Sequence, residues 1–83
     1  MTRGRKLLRR MRASRNGWRP SDLESLYLAF GFEKEEGSKH SLFYHPKYPG
    51  FQATVRRADP LPTGYIDDAV KLIDRLQDMD PEL

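Results

Sequence analysis

Eighty-three residues carrying a net charge of +3 and no cysteine bound this chain to a single small domain, without disulfides, thiolate zinc sites or thiol catalysis. No apolar run approaches the roughly 20 residues of a membrane span, and the arginine-rich start lacks the apolar stretch of a secretory signal. Charge is lopsided: residues 1–20 hold Arg3, Arg5, Lys6, Arg9, Arg10, Arg12, Arg15 and Arg19 with no acid, whereas residues 21–83 hold seven lysines and arginines against twelve acids. That asymmetry points to a polyanionic partner, nucleic acid before an acidic protein or an anionic membrane surface, with a solvated cationic helix as the plain alternative.

The first element is the basic arm, residues 1–17. Within 4–14 the apolar side chains are Leu7, Leu8 and Met11, a narrow stripe on a cationic helix that can dock while showing Arg5, Arg9 and Arg12 to solvent. Asn16-Gly17 ends it, and Trp18 is expected to anchor it to the core. The core, residues 20–77, begins with a helix at about 21–30. Its start reads as a capping box, Ser21-Asp22-Leu23-Glu24 after Pro20, and its apolar face is Leu23, Leu26, Tyr27 and Phe30. Gly31 sits where a left-handed C-terminal cap belongs, with Phe32 as its hydrophobic partner.

From Phe32 the period changes. Residues 32–36 read as a short polar edge strand, Gly37-Ser38 as a turn, and Lys39 to His45 as an aromatic strand stopped by Pro46. After the turn at 47–50, residues 51–56 alternate strictly, with Phe51, Ala53 and Val55 on one side. An extended loop leads to a last helix, capped by Thr63 or Gly64, whose stripe is Ile66, Ala69, Val70, Ile73 and Leu76. Asp59, Asp67 and Asp68 near its start suit capping and the helix dipole. The acidic tail 78–83 is expected to fray. The order α-α-β-β-β-α predicts an α+β fold: a three-stranded antiparallel sheet with the helices on one face and the other face open.

The chemistry centres on Gly37-Ser38-Lys39-His40. A histidine exchanges protons near neutral pH. RNA cleavage by its own 2′-hydroxyl needs only a base at that hydroxyl or an acid at the leaving oxygen, so one histidine suffices without a metal or a protein nucleophile. Lys39, Arg56 and Arg57 are candidate phosphate ligands; Gly37 allows close backbone approach and Ser38 adds a hydroxyl. On composition alone an ordinary strand histidine is the better reading of His40. His45, five residues on, falls on the opposite strand face, which disfavours a shared metal site or a two-histidine pair. Phe43, Tyr44 and Tyr48 near basic residues suit base stacking or core packing. No phosphate-binding glycine loop, dinucleotide fingerprint, zinc spacing or nucleophile elbow is present, so no cofactor and no metal are expected.

In its ordered motifs the chain resembles the HicA family of type II toxin–antitoxin toxins. The carriers are Gly31-Phe32-Glu33, Gly37-Ser38-Lys39-His40, Tyr44-His45-Pro46, Thr54-Val55, Leu61-Pro62-Thr63-Gly64-Tyr65 and Ala69-Val70-Lys71-Leu72-Ile73, over about residues 20–77. The resemblance implies a fold like the double-stranded-RNA-binding domain and an mRNA-cleaving endoribonuclease with His40 as the catalytic residue. It further implies neutralisation by a HicB-like antitoxin and a cytoplasmic setting. Many members carry Pro-Arg-His after the third strand. Here Arg56-Arg57-Ala58 stands there, so Arg57 matches the arginine and Ala58 lacks the imidazole. The basic arm, with Arg5, Arg9, Arg10 and Arg12, resembles the extension of longer members and would add salt-sensitive attraction to RNA. Two other readings stay open at this point: a non-catalytic RNA-binding module on the same surface, and a small protein-interaction subunit whose arm docks an acidic partner.

Overall fold

The computed structural model describes residues 3–57 and 60–83, the backbone alone for Arg3; Ala58 and Asp59, singled out above, lie outside the described residues. Three helices and three strands follow in the expected order: α1 (Arg3–Ala13), α2 (Pro20–Ala29), β1 (Glu33–Glu36), β2 (His40–Tyr44), β3 (Gln52–Arg56) and α3 (Thr63–Met79). The strands form one antiparallel sheet in the order β1-β2-β3, so β1 and β3 are its edges. Among the described residues no helix is long and apolar enough to cross a membrane.

Packing follows the stripes. Leu23, Leu26, Tyr27 and Phe30 of α2 and Ile66, Ala69, Val70, Ile73 and Leu76 of α3 are all buried against one sheet face. There Tyr27 stacks on Phe43 with ring centroids 4.9 Å apart. α1 packs on α2 and α3, sinking Leu8 and Met11 into the same core. Each such side chain contributes about 1.5–3 kcal/mol on burial, which is why a helix with so narrow a stripe stays docked. Gly4 belongs to this contact, because a Cβ there would stand 2.7 Å from the Cβ of Ala29.

The cap of α2 differs from the expected box. The helix begins two residues earlier, with Arg19 as N-cap and Pro20 in the first turn, and the Asp22 carboxylate accepts the Arg19 N–H at 3.0 Å. Proline favours this register because its fixed φ suits the first helical position and its missing N–H would have no partner there. Glu24 is thereby released to accept Lys34 Nζ at 2.8 Å, tying β1 to α2. The C-terminus of α2 is as expected: Gly31 has φ +92°, Gly31 N–H donates to Leu28 O, Phe32 N–H donates to Tyr27 O, and the Phe32 ring packs on Tyr27.

Two other expectations are corrected at the chain's ends. α1 stops at Ala13, three residues before Asn16-Gly17. The tail is tied down rather than frayed. Asp80 accepts Tyr48 Oη at 2.7 Å and Lys47 Nζ at 3.2 Å, and Leu83 O receives Gln77 Nε2 at 3.1 Å and an arginine N–H of Arg5 at 3.4 Å. For α3, Pro62 is the N-cap and Thr63 is already helical, with no side-chain cap. Asp67 serves Arg15, 2.8 Å away, instead of the helix start alone.

Candidate functional site

Strand parity decides which side of β2 meets the helices. Ser41, Phe43 and His45 are buried, whereas His40 is exposed and Leu42 and Tyr44 are half-buried on the open face. His45 is a structural residue. Its Nδ1 accepts Lys47 N–H at 3.2 Å, its Nε2 lies 3.1 Å from Phe30 O, and its ring meets Phe32 edge-on. A proton on Nε2 and a lone pair on Nδ1 satisfy both bonds. The two histidines therefore project from opposite faces of the sheet, as the spacing requires.

His40 opens β2, and its cross-strand partner on β3 is Arg56. The bonds from Arg57 N–H to Lys39 O and from His45 N–H to Phe51 O set the ladder. They make His40–Arg56 a non-hydrogen-bonded pair, the kind whose side chains stand closest, with Cβ atoms about 4.5–5.5 Å apart. Lys39 precedes it, exposed. Leu42 with Thr54, then Tyr44 with Gln52, continue the face towards its other end, and Glu33 and Glu35 border it along β1. The open face is thus polarised, cationic around His40 and acidic along β1. Tyr44 belongs to the acidic end: its Oη donates to Glu33 Oε1 at 3.2 Å, which raises the phenol above its ordinary pKa.

The turn before His40 is built to close on it. Gly37 N–H donates to His40 O at 2.8 Å, and a Cβ on Gly37 would meet that oxygen at 3.0 Å. The glycine therefore serves turn closure, and its N–H is already engaged. Arg57 braces the same turn, its guanidinium donating to Glu36 Oε2 and to Gly37 O, both at 3.1 Å. Ser38 is exposed beside them. A phosphate at His40 would accordingly meet Arg56 first, with Arg57 holding the loop; Lys39, opposite Arg57 and of the same parity as Ser41 and Phe43, is not on His40's side of the ladder.

No family model matches this chain, no curated protein matches it, and no solved structure matches it.

The remaining expected site residues lie elsewhere. α1 is on the helical side of the sheet, so Arg5, Arg9 and Arg12 face away from His40. Arg12 grips both oxygens of Asp74 at 2.7 and 3.0 Å, and the bond raises its pKa. Arg5 reaches the C-terminal Leu83, as above. Arg9 is exposed, and Arg10 lies 5.4 Å over the Trp18 ring, whose Nε1 donates to Ser14 O at 2.8 Å. Of the three aromatic candidates for base stacking only Tyr44 is on the open face; Phe43 is core, and Tyr48 is half-buried beside Asp80. Sequence reading did not place Thr54 and Gln52 at the site, where they complete the face beside Leu42 and Tyr44; the strict alternation of 51–56 was the available signal.

Proposed function

We propose that this chain is an mRNA-cleaving endoribonuclease, the toxin of a type II toxin–antitoxin pair of the HicA kind, with a double-stranded-RNA-binding-like fold and a cytoplasmic site of action. One observation carries the reading. His40 is exposed on the open sheet face, laterally paired with Arg56, where a backbone phosphate can lie across both strands. In the proposed reaction the 2′-oxygen bonds to the adjacent phosphorus and the bond to the 5′-oxygen breaks. His40 takes the 2′-hydroxyl proton or supplies one to the leaving oxygen, and Arg56 offsets charge on the phosphoryl oxygens. No metal enters. A HicB-like antitoxin would act by covering this face.

General acid–base catalysis contributes about 10²–10⁴-fold, so His40→Ala should slow RNA cleavage by that factor in EDTA while circular dichroism stays unchanged. It should also relieve growth arrest on expression. Undiminished cleavage by a folded His40→Ala protein would overturn the assignment. A second reading has its own support: among the described residues no carboxylate or second imidazole is bonded to His40. An RNA-binding module without catalysis would retain RNA on the same face and leave it intact across neutral pH.

A further inference from the structure

The two edges of the sheet are treated differently. β1 carries Glu33, Lys34, Glu35 and Glu36, a fully charged edge of the kind that discourages pairing, and Lys34 is further tied to Glu24 and Glu36. β3 carries Gln52, Ala53, Thr54 and Val55 before Arg56, four uncharged residues, two of them Thr and Val. The ladder bonds that pair odd-numbered β3 residues with β2 leave Gln52, Thr54 and Arg56 with their N–H and C=O groups pointing outward. No described residue hydrogen-bonds to them there. Beside this edge runs a cleft of about 340 Å³ between β3 and α3. Ala53, the smallest side chain on that side, leaves it open. Its α3 wall presents Tyr65, Asp68, Lys71 and Arg75. Arg75 lies 5.2 Å over the Phe51 ring, which places it at the Phe51 end, with Lys71 one turn back and Asp68 towards the Val55 end.

We infer that the β3 edge is a docking site for an extended acidic segment of a partner protein, added as a fourth strand. The main-chain groups of Gln52, Thr54 and Arg56 call for a strand, since nothing else presents matching donors and acceptors at that spacing. The α3 wall selects its side chains. Alternate residues of an added strand point towards α3, and there two cations outnumber one acid, so carboxylates at every second position near Phe51 are favoured. The other alternate residues join the open face beside Thr54. The inference is independent of the ribonuclease reading.

A capped octapeptide alternating threonine and glutamate, titrated into the ¹⁵N-labelled full chain, tests it. The expected result is saturable binding with slowed amide exchange at Gln52 and Thr54. Lys71→Glu with Arg75→Glu should weaken binding about fivefold or more. Thr54→Pro, which removes an outward N–H without touching the ladder to β2, should do likewise. Because that proline could disturb the strand, the exposed α3 double variant carries the test if Thr54→Pro does not fold. Equal binding of a threonine–lysine peptide, unchanged exchange at Gln52 and Thr54, or concentration-dependent protection of these amides without peptide would each overturn the inference.

Discussion

Gly31→Ala is the most informative single change. Gly31 has φ +92°, and a Cβ built there stands 2.9 Å from His45 Nε2 and 3.6 Å from its Cε1. Two terms add. The left-handed backbone costs an alanine about 1–2 kcal/mol. Displacing the buried His45 ring breaks its bond to Phe30 O, about 0.5–1.5 kcal/mol more. The sum, about 1.5–3.5 kcal/mol, lowers Tm by about 6–28 °C in a chain of this size. Gly17→Ala is the control: φ is +80° but no atom lies within 4 Å of the added Cβ, so only the backbone term applies. Urea unfolding followed by circular dichroism measures both. If Gly31→Ala loses no more than Gly17→Ala, the packing of His45 under the α2 cap is not as described. A Gly31→Ala/His45→Ala double variant should then show no coupling, whereas the described contact predicts a measurable one.

Two further predictions concern charge. Exposed Arg56 and paired Arg12 separate binding from tethering: Arg56→Ala should reduce the slope of log K for RNA against log salt by about 0.7–0.9, while Arg12→Ala should change it little and lower stability by well under 1 kcal/mol. An equal slope change for Arg12→Ala would mean that its pair with Asp74 opens to RNA. Acid should loosen the ends of the chain. The bond from Arg15 holds Asp67 below its ordinary carboxyl value, and the bond from Tyr48 does the same for Asp80. A lowered folded value means that the contribution is complete above the unfolded value of 3.8 and disappears as pH falls through the folded one. Urea midpoints measured from pH 6 to pH 3 should fall, and Asp67→Asn with Asp80→Asn should flatten the fall; an unaltered profile would refute the assignment.

The elements were legible where one period dominates. The stripes of α2 and α3, the alternation of β3 and the Gly31 cap each rest on local backbone geometry, which a short stretch of sequence specifies. The face of β2 was not legible, because His40-Leu42-Tyr44 and Ser41-Phe43-His45 are similarly apolar sets, and only Tyr27 stacking on Phe43 chooses between them. The α2 cap was misplaced because Ser21 and Glu24 match the familiar pattern while Pro20 and Asp22 set the register. Arg12, Arg15 and Arg5 looked interchangeable in a basic run. Their partners lie 52 to 78 residues away in sequence, a distance no local pattern reports. At the candidate site, His40 and Arg56 could be named, but their adjacency needed the strand register.

These distant partners impose a sequence in time. Asp67, Asp74 and Leu83, which hold Arg15, Arg12 and Arg5, all lie between residues 67 and 83. A chain made from its N-terminus therefore makes these three arginines before the groups that hold them. Closing loops of that size costs about (3/2)RT ln n in chain entropy, which must be met before any of the three contacts forms. Until α3 leaves the ribosome, Arg12 and Arg15 lack the carboxylates that pair with them, so α1 can pack on α2 before its ion pairs form.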